Sequence, residues 1–255
     1  MTKKAFDNKV AIVTGAGQGI GFEICRQLAK QGAVVILNDI DESLANQAAE
    51  SIKQENGNCT AYAGDSSDLT FIENMVNSAV SRFGHLDVVI ANAGITLFGD
   101  FLSYPPESFM KVMNVNLTGT FFLAQAAAKQ MKKQELGGSL LFTSSVTGHQ
   151  AHKNLAAYAM TKAAIEMLAK NLVVELSPYK ITVNTVAPGA TITERTLSDP
   201  EYESVWSKLT PMGRAANTSD IANAALFLVS DSAKQITGQS LIIDGGWSSV
   251  SPSPF

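Results

Sequence analysis

Short, unbroken apolar runs punctuate the chain at Val10 to Val13, Val34 to Leu37, Leu86 to Ile90, Leu140 to Phe142, Ile181 to Val186 and Leu241 to Ile243. A strand covered on both faces has no polar side to show, so such runs predict a buried parallel sheet rather than a half-solvated one. Between them the spacing becomes helical: Ile20, Ile24 and Leu28 recur at steps of four, Phe121 to Met131 is rich in alanine, and Leu155 to Leu176 consists largely of helix formers. This alternation predicts a single-domain α/β fold, a Rossmann-like doubly wound parallel sheet of about seven strands with helices on both faces and right-handed crossovers. No linker or repeat divides residues 1–255, so one domain is expected. The stretch from about Thr191 to Met212 is a long, partly helical connection of the kind that often serves as a lid. Ser248 to Phe255 is polar, contains Pro252 and Pro254, and reads as an unstructured tail in preference to an arm laid on another subunit.

Composition narrows the classes of function. With 45% hydrophobic and 16% charged residues, the chain has ample material for a large core. Its net charge of −4 and the lack of a Lys/Arg stripe speak against nucleic acid as a partner. Met1 to Asn8 lacks the apolar stretch of a secretion signal, and no apolar run approaches the roughly 20 residues of a membrane span. A soluble, cytoplasmic protein with no membrane contact is therefore expected. Cys25 and Cys59 form no CxxC pair and suit reduced, buried thiols, while His85, His149 and His152 do not make a ligand set, so no metal is expected.

The candidate chemistry begins after the first run, at Thr14-Gly15-Ala16-Gly17-Gln18-Gly19-Ile20-Gly21. A glycine turn between a strand and a helix lets backbone N–H groups and the helix N-terminus face a pyrophosphate. Gly15, Gln18, Gly19, Ile20 and Gly21 are the residues this places at a cofactor. The spacing is TGxxxGxG, not GxGxxG. The second run ends at Asn38-Asp39, where a carboxylate can accept hydrogen bonds from ribose hydroxyls and repel a 2′-phosphate, so Asp39 predicts NAD. Asp41 fits the N-cap of the helix starting at Glu42 and leaves Asp39 for that role. Tyr158 and Lys162, four apart in a helical segment, share one face. Ser144 and Ser145 follow the run Leu140 to Phe142, at the sheet edge where ligands of doubly wound folds bind. A free phenol ionises near pH 10, too high for a base at neutrality; a cation about 4 Å away, at an effective dielectric near 20, supplies an interaction of about 4 kcal/mol in favour of the phenolate. Lys162, with help from a positive nicotinamide ring, is the natural source.

From Lys9 to Trp247 the chain resembles the short-chain dehydrogenase/reductase family. The residues that carry the likeness are TGAGQGIG at Thr14 to Gly21, GDSSD around Asp65, ANAG at Ala91 to Gly94, NVNLTGTF at Asn114 to Phe121, the Ser144-Ser145 pair, YAMTK at Tyr158 to Lys162, APGATIT at Ala187 to Thr193, and ITGQSLIIDGGW near the C-terminus. The resemblance implies a catalytic set of Asn116, Ser145, Tyr158 and Lys162, with Ser145 chosen over Ser144 because the family's serine precedes its tyrosine by thirteen residues. Tyr158 would be the acid/base, Lys162 would hold the nicotinamide ribose, Ser145 would donate to the substrate oxygen and Asn116 would hold a proton-relaying water. Asp65 would meet the adenine, Asn92 and Gly94 the cofactor ribose, and Pro188, Gly189 and Thr193 the nicotinamide. Ala91 replaces an Asn frequent in the family. The resemblance puts the substrate pocket at Thr96, Thr147, His149, Gln150 and His152, with Arg195, Tyr202 and Trp206 on the lid. More of these side chains form hydrogen bonds than are large and aliphatic, which tilts the expectation toward a sugar or polyol.

The resulting expectation is an NAD-dependent dehydrogenase of a secondary alcohol or its ketone, with that small molecule as its partner and a homotetramer as the family implies. The rivals are an NADPH-dependent carbonyl or 3-oxoacyl reductase, against which Asp39 and Gln18 argue, and a non-catalytic NAD(H) sensor, for which the set at Ser145, Tyr158 and Lys162 is too complete. Nucleotide-sugar epimerases and dehydratases share YxxxK but need a further substrate lobe.

Overall fold

The computed structural model describes residues 4–251; residues 252–255, half of the expected tail, lie outside the described residues. Strands β1 (Val10–Val13), β2 (Val34–Leu37), β3 (Asn58–Ala61), β4 (Val88–Ala91), β5 (Gly138–Thr143) and β6 (Ile181–Pro188) alternate with helices α1 (Gly19–Lys30), α2 (Glu42–Gln54), α3 (Leu69–Phe83), α4 (Pro106–Met113), α5 (Thr120–Gln134) and α6 (Ala156–Leu176). A short pair, β7 (Thr191–Ile192) and β8 (Ala216–Asn217), flanks α7 (Tyr202–Leu209); α8 (Thr218–Val229) and β9 (Ser240–Ile243) complete the chain. Seven strands form one sheet in the order β3-β2-β1-β4-β5-β6-β9, every neighbouring pair parallel. This is the doubly wound α/β sheet that the apolar runs predict.

Alternating strand residues serve two cores. Ala11 and Val13 pack with Ile24, Leu28, Ile52 and Leu226, from α1, α2 and α8. Val10 and Ile12 pack with Met75, Leu123 and Ile165, from α3, α5 and α6, on the opposite face. Burial on both faces is why the strands carry no polar alternation. β3 is the exception and escapes the sequence pattern: its Asn-Cys-Thr-Ala run pairs only with β2 at the sheet edge, and only Cys59 is fully buried. The helix after β2 starts where expected, with the Asp41 carboxylate accepting from Leu44 N.

Strand order reverses between β1 and β4, which opens a crevice beyond their C-terminal ends. The register sets Val13 beside both Leu37 and Ile90, and Ala91 beside Phe142. Four loops therefore meet there: the glycine turn, Asn38-Asp39, Asn92 to Gly94, and Ser144-Ser145. α4 and α5 are joined through a π-helical turn, Asn114–Gly119, whose wider winding breaks the 3.6-residue repeat at Asn116. The long connection is partly helical, as its sequence predicts. It rises from the β7–β8 pair, and α7 buries no residue fully. At the C-terminus, order extends beyond the expected tail boundary: Trp247–Ser249 form a 3-10 turn, and Asp244 accepts from Ser248 N and Oγ.

Candidate active site

The glycine turn is shaped by close approach. Gly15 and Gly19 lie at φ +59° and +63°, a region that favours glycine. A Cβ on Gly15 would stand 2.7 Å from Ala93 Cα, and one on Gly21 would stand 2.5 Å from Gly15 O and 2.6 Å from Asn92 Nδ2. Gln18, the N-cap of α1, makes no side-chain capping bond, so no side chain of its own occupies the front of that helix. In front of it lies a cavity of about 600 Å³ lined by Gly15, Gln18, Gly19, Ile20, Gly21, Asp39, Asp65, Asn92, Gly94, Thr96, Lys111, Tyr158, Lys162, Thr193, Glu194 and Arg195 among others. An extended dinucleotide fits this lining: uncapped backbone N–H groups at the centre for phosphate, carboxylates on one flank, and Tyr158 with Lys162 on the other.

At the carboxylate flank, Asp39 is not idle. Its Oδ2 accepts from Gly17 N at 2.9 Å and its Oδ1 from Asp41 N at 3.1 Å, so it ties the second strand's loop to the glycine turn while still facing the cavity. Its neighbour Asn38 is buried, donating to Tyr62 O and Gly64 O. Asp65 Oδ1 accepts from Ser67 N and Oγ. Asn92 is committed to the protein: its amide donates to Thr14 O and Gly15 O, and its Oδ1 accepts from Thr143 Oγ1, so it fastens β1, β4 and β5 together at the crevice. Any contact it makes with a ligand falls to its backbone.

At the other flank, α6 brings Tyr158 and Lys162 to one face. Lys162 is 4% exposed, has no carboxylate partner, donates to Thr143 O at 2.7 Å, and holds Nζ 5.4 Å from the Tyr158 ring centroid. Gly94 keeps the approach to Nζ open, since a Cβ there would lie 3.4 Å from it. Ser145 Oγ accepts from Thr147 N at 3.2 Å, which leaves its proton to donate elsewhere. Ser144 Oγ instead donates toward Lys162 O and the Glu166 carboxylate, so the two neighbouring hydroxyls are engaged differently. Asn116 is buried in the π-helical turn; its Oδ1 accepts from Ile95 N and its Nδ2 donates to Ile95 O and Thr161 Oγ1. With both side-chain donors engaged, a water held at this residue would need the backbone.

The expected substrate residues divide. Thr96 lines the cavity, but Thr147, His149, His152 and Trp206 are not among its lining residues, and neither are Pro188 and Gly189. Pro188 ends β6 beside Ile243, and Gly189 packs against Asp244. The Thr147 hydroxyl is buried without a partner. His149 directs Nε2 to Glu166 at 2.9 Å, and Ser240 Oγ lies 3.4 Å from the same nitrogen. His152 stacks at 5.1 Å on Trp247, which meets Trp206 edge-to-face at 5.2 Å; Trp206 in turn meets Tyr202 at 6.1 Å. Tyr202 accepts from Thr191 N, and burial pushes its phenol up from its ordinary value. Trp247 and Glu166 are the two residues here that sequence reasoning missed; the first stood only within a motif, and the second carried no signal apart from its place one helical turn after Lys162.

Comparison with known proteins gives concordant results. A family model described as enoyl-(acyl carrier protein) reductase matches residues 15–248. An L-rhamnose 1-dehydrogenase (NAD(P)(+)) of Azotobacter vinelandii is 38% identical over 246 residues, covering 94% of this chain and 96% of that one. Among solved structures, a short-chain type dehydrogenase/reductase from Mycobacterium marinum superposes with a TM-score of 0.90 at 32% identity, covering 95% and 96% of the two chains. A 7 alpha-hydroxysteroid dehydrogenase complexed with NADH and 7-oxo glycochenodeoxycholic acid does so with a TM-score of 0.90 at 36% identity, covering 94% of each.

Proposed function

The chain belongs to the short-chain dehydrogenase/reductase family and is an oxidoreductase of small molecules, and from that premise we propose that it oxidises a hydroxyl of a sugar or polyol with NAD, using Tyr158 as the base. The observation that carries this reading is the buried Lys162, without a carboxylate partner among the described residues and set beside Tyr158, both side chains lining the cavity that the dinucleotide fits.

When bound, the oxidised nicotinamide supplies the hydride acceptor. Tyr158 Oη takes the hydroxyl proton of the substrate as its C–H bond gives up the hydride and the carbonyl forms. Ser145 donates to the same substrate oxygen and holds it as charge develops. Lys162 is oriented by Thr143 O; its remaining N–H groups serve the ribose and its charge favours the phenolate. Asn116 fixes Ile95 and Thr161, and Thr161 Oγ1 donates to Tyr158 O, so this buried chain of bonds holds the tyrosine's own turn. Proton exit by way of Asn116 uses its backbone, because its amide is engaged. Asp39 selects NAD over NADP: it faces the cavity with Gln18 and Ile40 beside it and no cation adjacent in the chain. Asp65 receives the adenine end.

Thr96, Glu194 and Arg195 offer the polar contacts that a hydroxylated substrate needs; Trp206, Trp247 and His152 pack on one another outside the cavity lining. The similarity to an L-rhamnose 1-dehydrogenase supports a sugar. Assembly as a homotetramer is part of the same reading. It is supported by Met160, Met167 and Val174, exposed at seven-residue steps along α6, and by the half-exposed Leu241 and Ile242 on the edge strand β9. No helix among the described residues is long and apolar enough to cross a membrane.

The test is NADH formation, followed near 340 nm, over a panel of aldoses, polyols, acyclic secondary alcohols and hydroxysteroids, with NAD or NADP and with Tyr158→Phe alongside. Turnover of a sugar or polyol with NAD that disappears in the variant is the expected result. Turnover of hydroxysteroids alone would replace the substrate assignment, and an active Tyr158→Phe would overturn the mechanism.

A further inference from the structure

Glu166 lies on α6 one turn beyond Lys162, outside the cavity lining, with its side chain 11% exposed. A carboxylate so shielded from water must be satisfied by protein donors. Its polar neighbours come from one short segment: Ser144 Oγ, which donates to Oε1, at the segment's start, and the His149 ring, whose Nε2 lies 2.9 Å from the same oxygen, at its end. Between them stands Ser145, its Oγ held by Thr147 N, and Gly148 presses against α6, where a Cβ would meet Ala163 N at 3.1 Å and Glu166 Oε1 at 3.3 Å. Ser240 Oγ, near His149 Nε2, extends the tie to β9.

We propose that Glu166 is a positioning residue that clamps the segment 144–149 to α6 and thereby sets the Ser145 hydroxyl against the Tyr158 hydroxyl. The two reacting-site hydroxyls stand on different elements, and Glu166 is a polar bridge between those elements that touches the serine segment at both ends. Its effect is exerted through Ser145, so the proposal rests on the reading of Ser145 as the donor to the substrate oxygen. It also assigns His149, which the sequence points to the substrate, to the buttress instead.

The test is a double-mutant cycle between Glu166→Ala and Ser145→Ala, with Glu166→Gln as the conservative variant. Glu166→Ala is expected to lower kcat about 10- to 100-fold, the scale of a misplacement near 1 Å, while NADH affinity measured by calorimetry stays within about twofold. Glu166→Gln keeps an oxygen able to accept from Ser144 beside the His149 ring and is expected to restore most of kcat. In a Ser145→Ala background, itself slower by about 10²- to 10³-fold, adding Glu166→Ala is expected to change kcat by less than about twofold. An undiminished effect of Glu166→Ala in that background, or a loss confined to NADH affinity, overturns the proposal while leaving the Ser145 assignment intact. A Ser145→Ala enzyme with near wild-type kcat overturns the assignment itself. Should Glu166→Ala fail to fold, His149→Ala and Ser144→Ala remove one polar neighbour of the carboxylate each, and each must then give part of the kcat loss with NADH affinity retained; wild-type kcat in both refutes the clamp.

Discussion

Replacing Asp39 with Asn isolates charge from shape at the cofactor's adenosine end. The carboxylate is half-buried and accepts from Gly17 N and from Asp41 N; an Asn side-chain oxygen can keep the bond from Gly17 N, so the tie to the glycine turn remains, while its NH2 gives up the bond from Asp41 N. What changes is the field felt by a 2′-phosphate. Such a group carries about −1.5 to −2 charges near neutrality. At a separation of about 4 Å, each unit charge meets the carboxylate with about 4 kcal/mol at an effective dielectric of 20 and about 1 kcal/mol in water. A half-solvated site lies between these limits. Asp39→Asn is therefore expected to reduce the ratio of kcat/KM for NAD to that for NADP by about 10- to 100-fold, since 1.4 kcal/mol is a factor of ten. The loss with NAD itself should be smaller, about three- to tenfold, the scale of one weakened hydrogen bond. The assay is initial rate against each cofactor between low and high salt. Wild-type discrimination should shrink as ions screen the repulsion, and discrimination in the variant should stay flat. Strong, salt-independent discrimination in Asp39→Asn would refute the electrostatic argument and place the selectivity in the shape of the turn.

Three other outcomes follow from the geometry. Gly21→Ala forces a methyl against Gly15 O and Asn92 Nδ2; raised KM for NAD together with a lowered Tm is expected, and unchanged values of both would show that the turn yields more easily than its contacts suggest. Cys25 and Cys59 are buried thiols whose ionisation burial opposes, with Cys25 pushed well up and Cys59 pushed up to about 12; a thiol reagent at neutral pH should label neither in the native protein and both in denaturant. Burial pushes the Asp244 carboxyl up, but bonds from Ser248 Oγ, Ser248 N and Gly246 N outweigh it and leave the net shift downward. A depressed folded-state value adds stability above the ordinary carboxylate range near 4, lost as pH falls through the folded value; Ser248→Ala should narrow the difference in Tm between pH 6 and acid conditions, and an identical acid profile in both proteins would remove Asp244 from the account.

Legibility in the sequence follows burial. β1, β2, β4, β5 and β6 announce themselves because strands between two helical layers are largely apolar; of the two edge strands, β9 shows an apolar run although it is half-exposed, whereas β3 is polar and silent. The residues of the glycine turn, Asp39, Tyr158 and Lys162 arrive at one cavity because strand ends fix loop positions, and the order of elements fixes strand ends. Side-chain direction is another matter. Ser144 and Ser145 are adjacent in the chain, and which of them α6 engages depends on the register of that helix, which places Glu166 beside Ser144. His149 is turned by that same carboxylate. Nothing in the sequence announces the π-helical turn from which the Asn116 amide reaches Ile95. Trp247 acquires a partner only once the lid folds back over the C-terminal turn.

That last pairing makes the molecule its own optical probe. The chain contains two tryptophans, Trp206 on α7 and Trp247 in the turn after β9, and they touch each other. Tryptophan emission from the whole protein thus originates at one spot, where α7 meets the turn after β9. A swing of α7 would part the two rings and expose them to solvent, so the colour and intensity of that glow would report movement of α7 without any attached dye. A reduced nicotinamide in the cleft absorbs in the range where tryptophan emits, so its arrival and departure can be timed by energy transfer from the same pair of indoles.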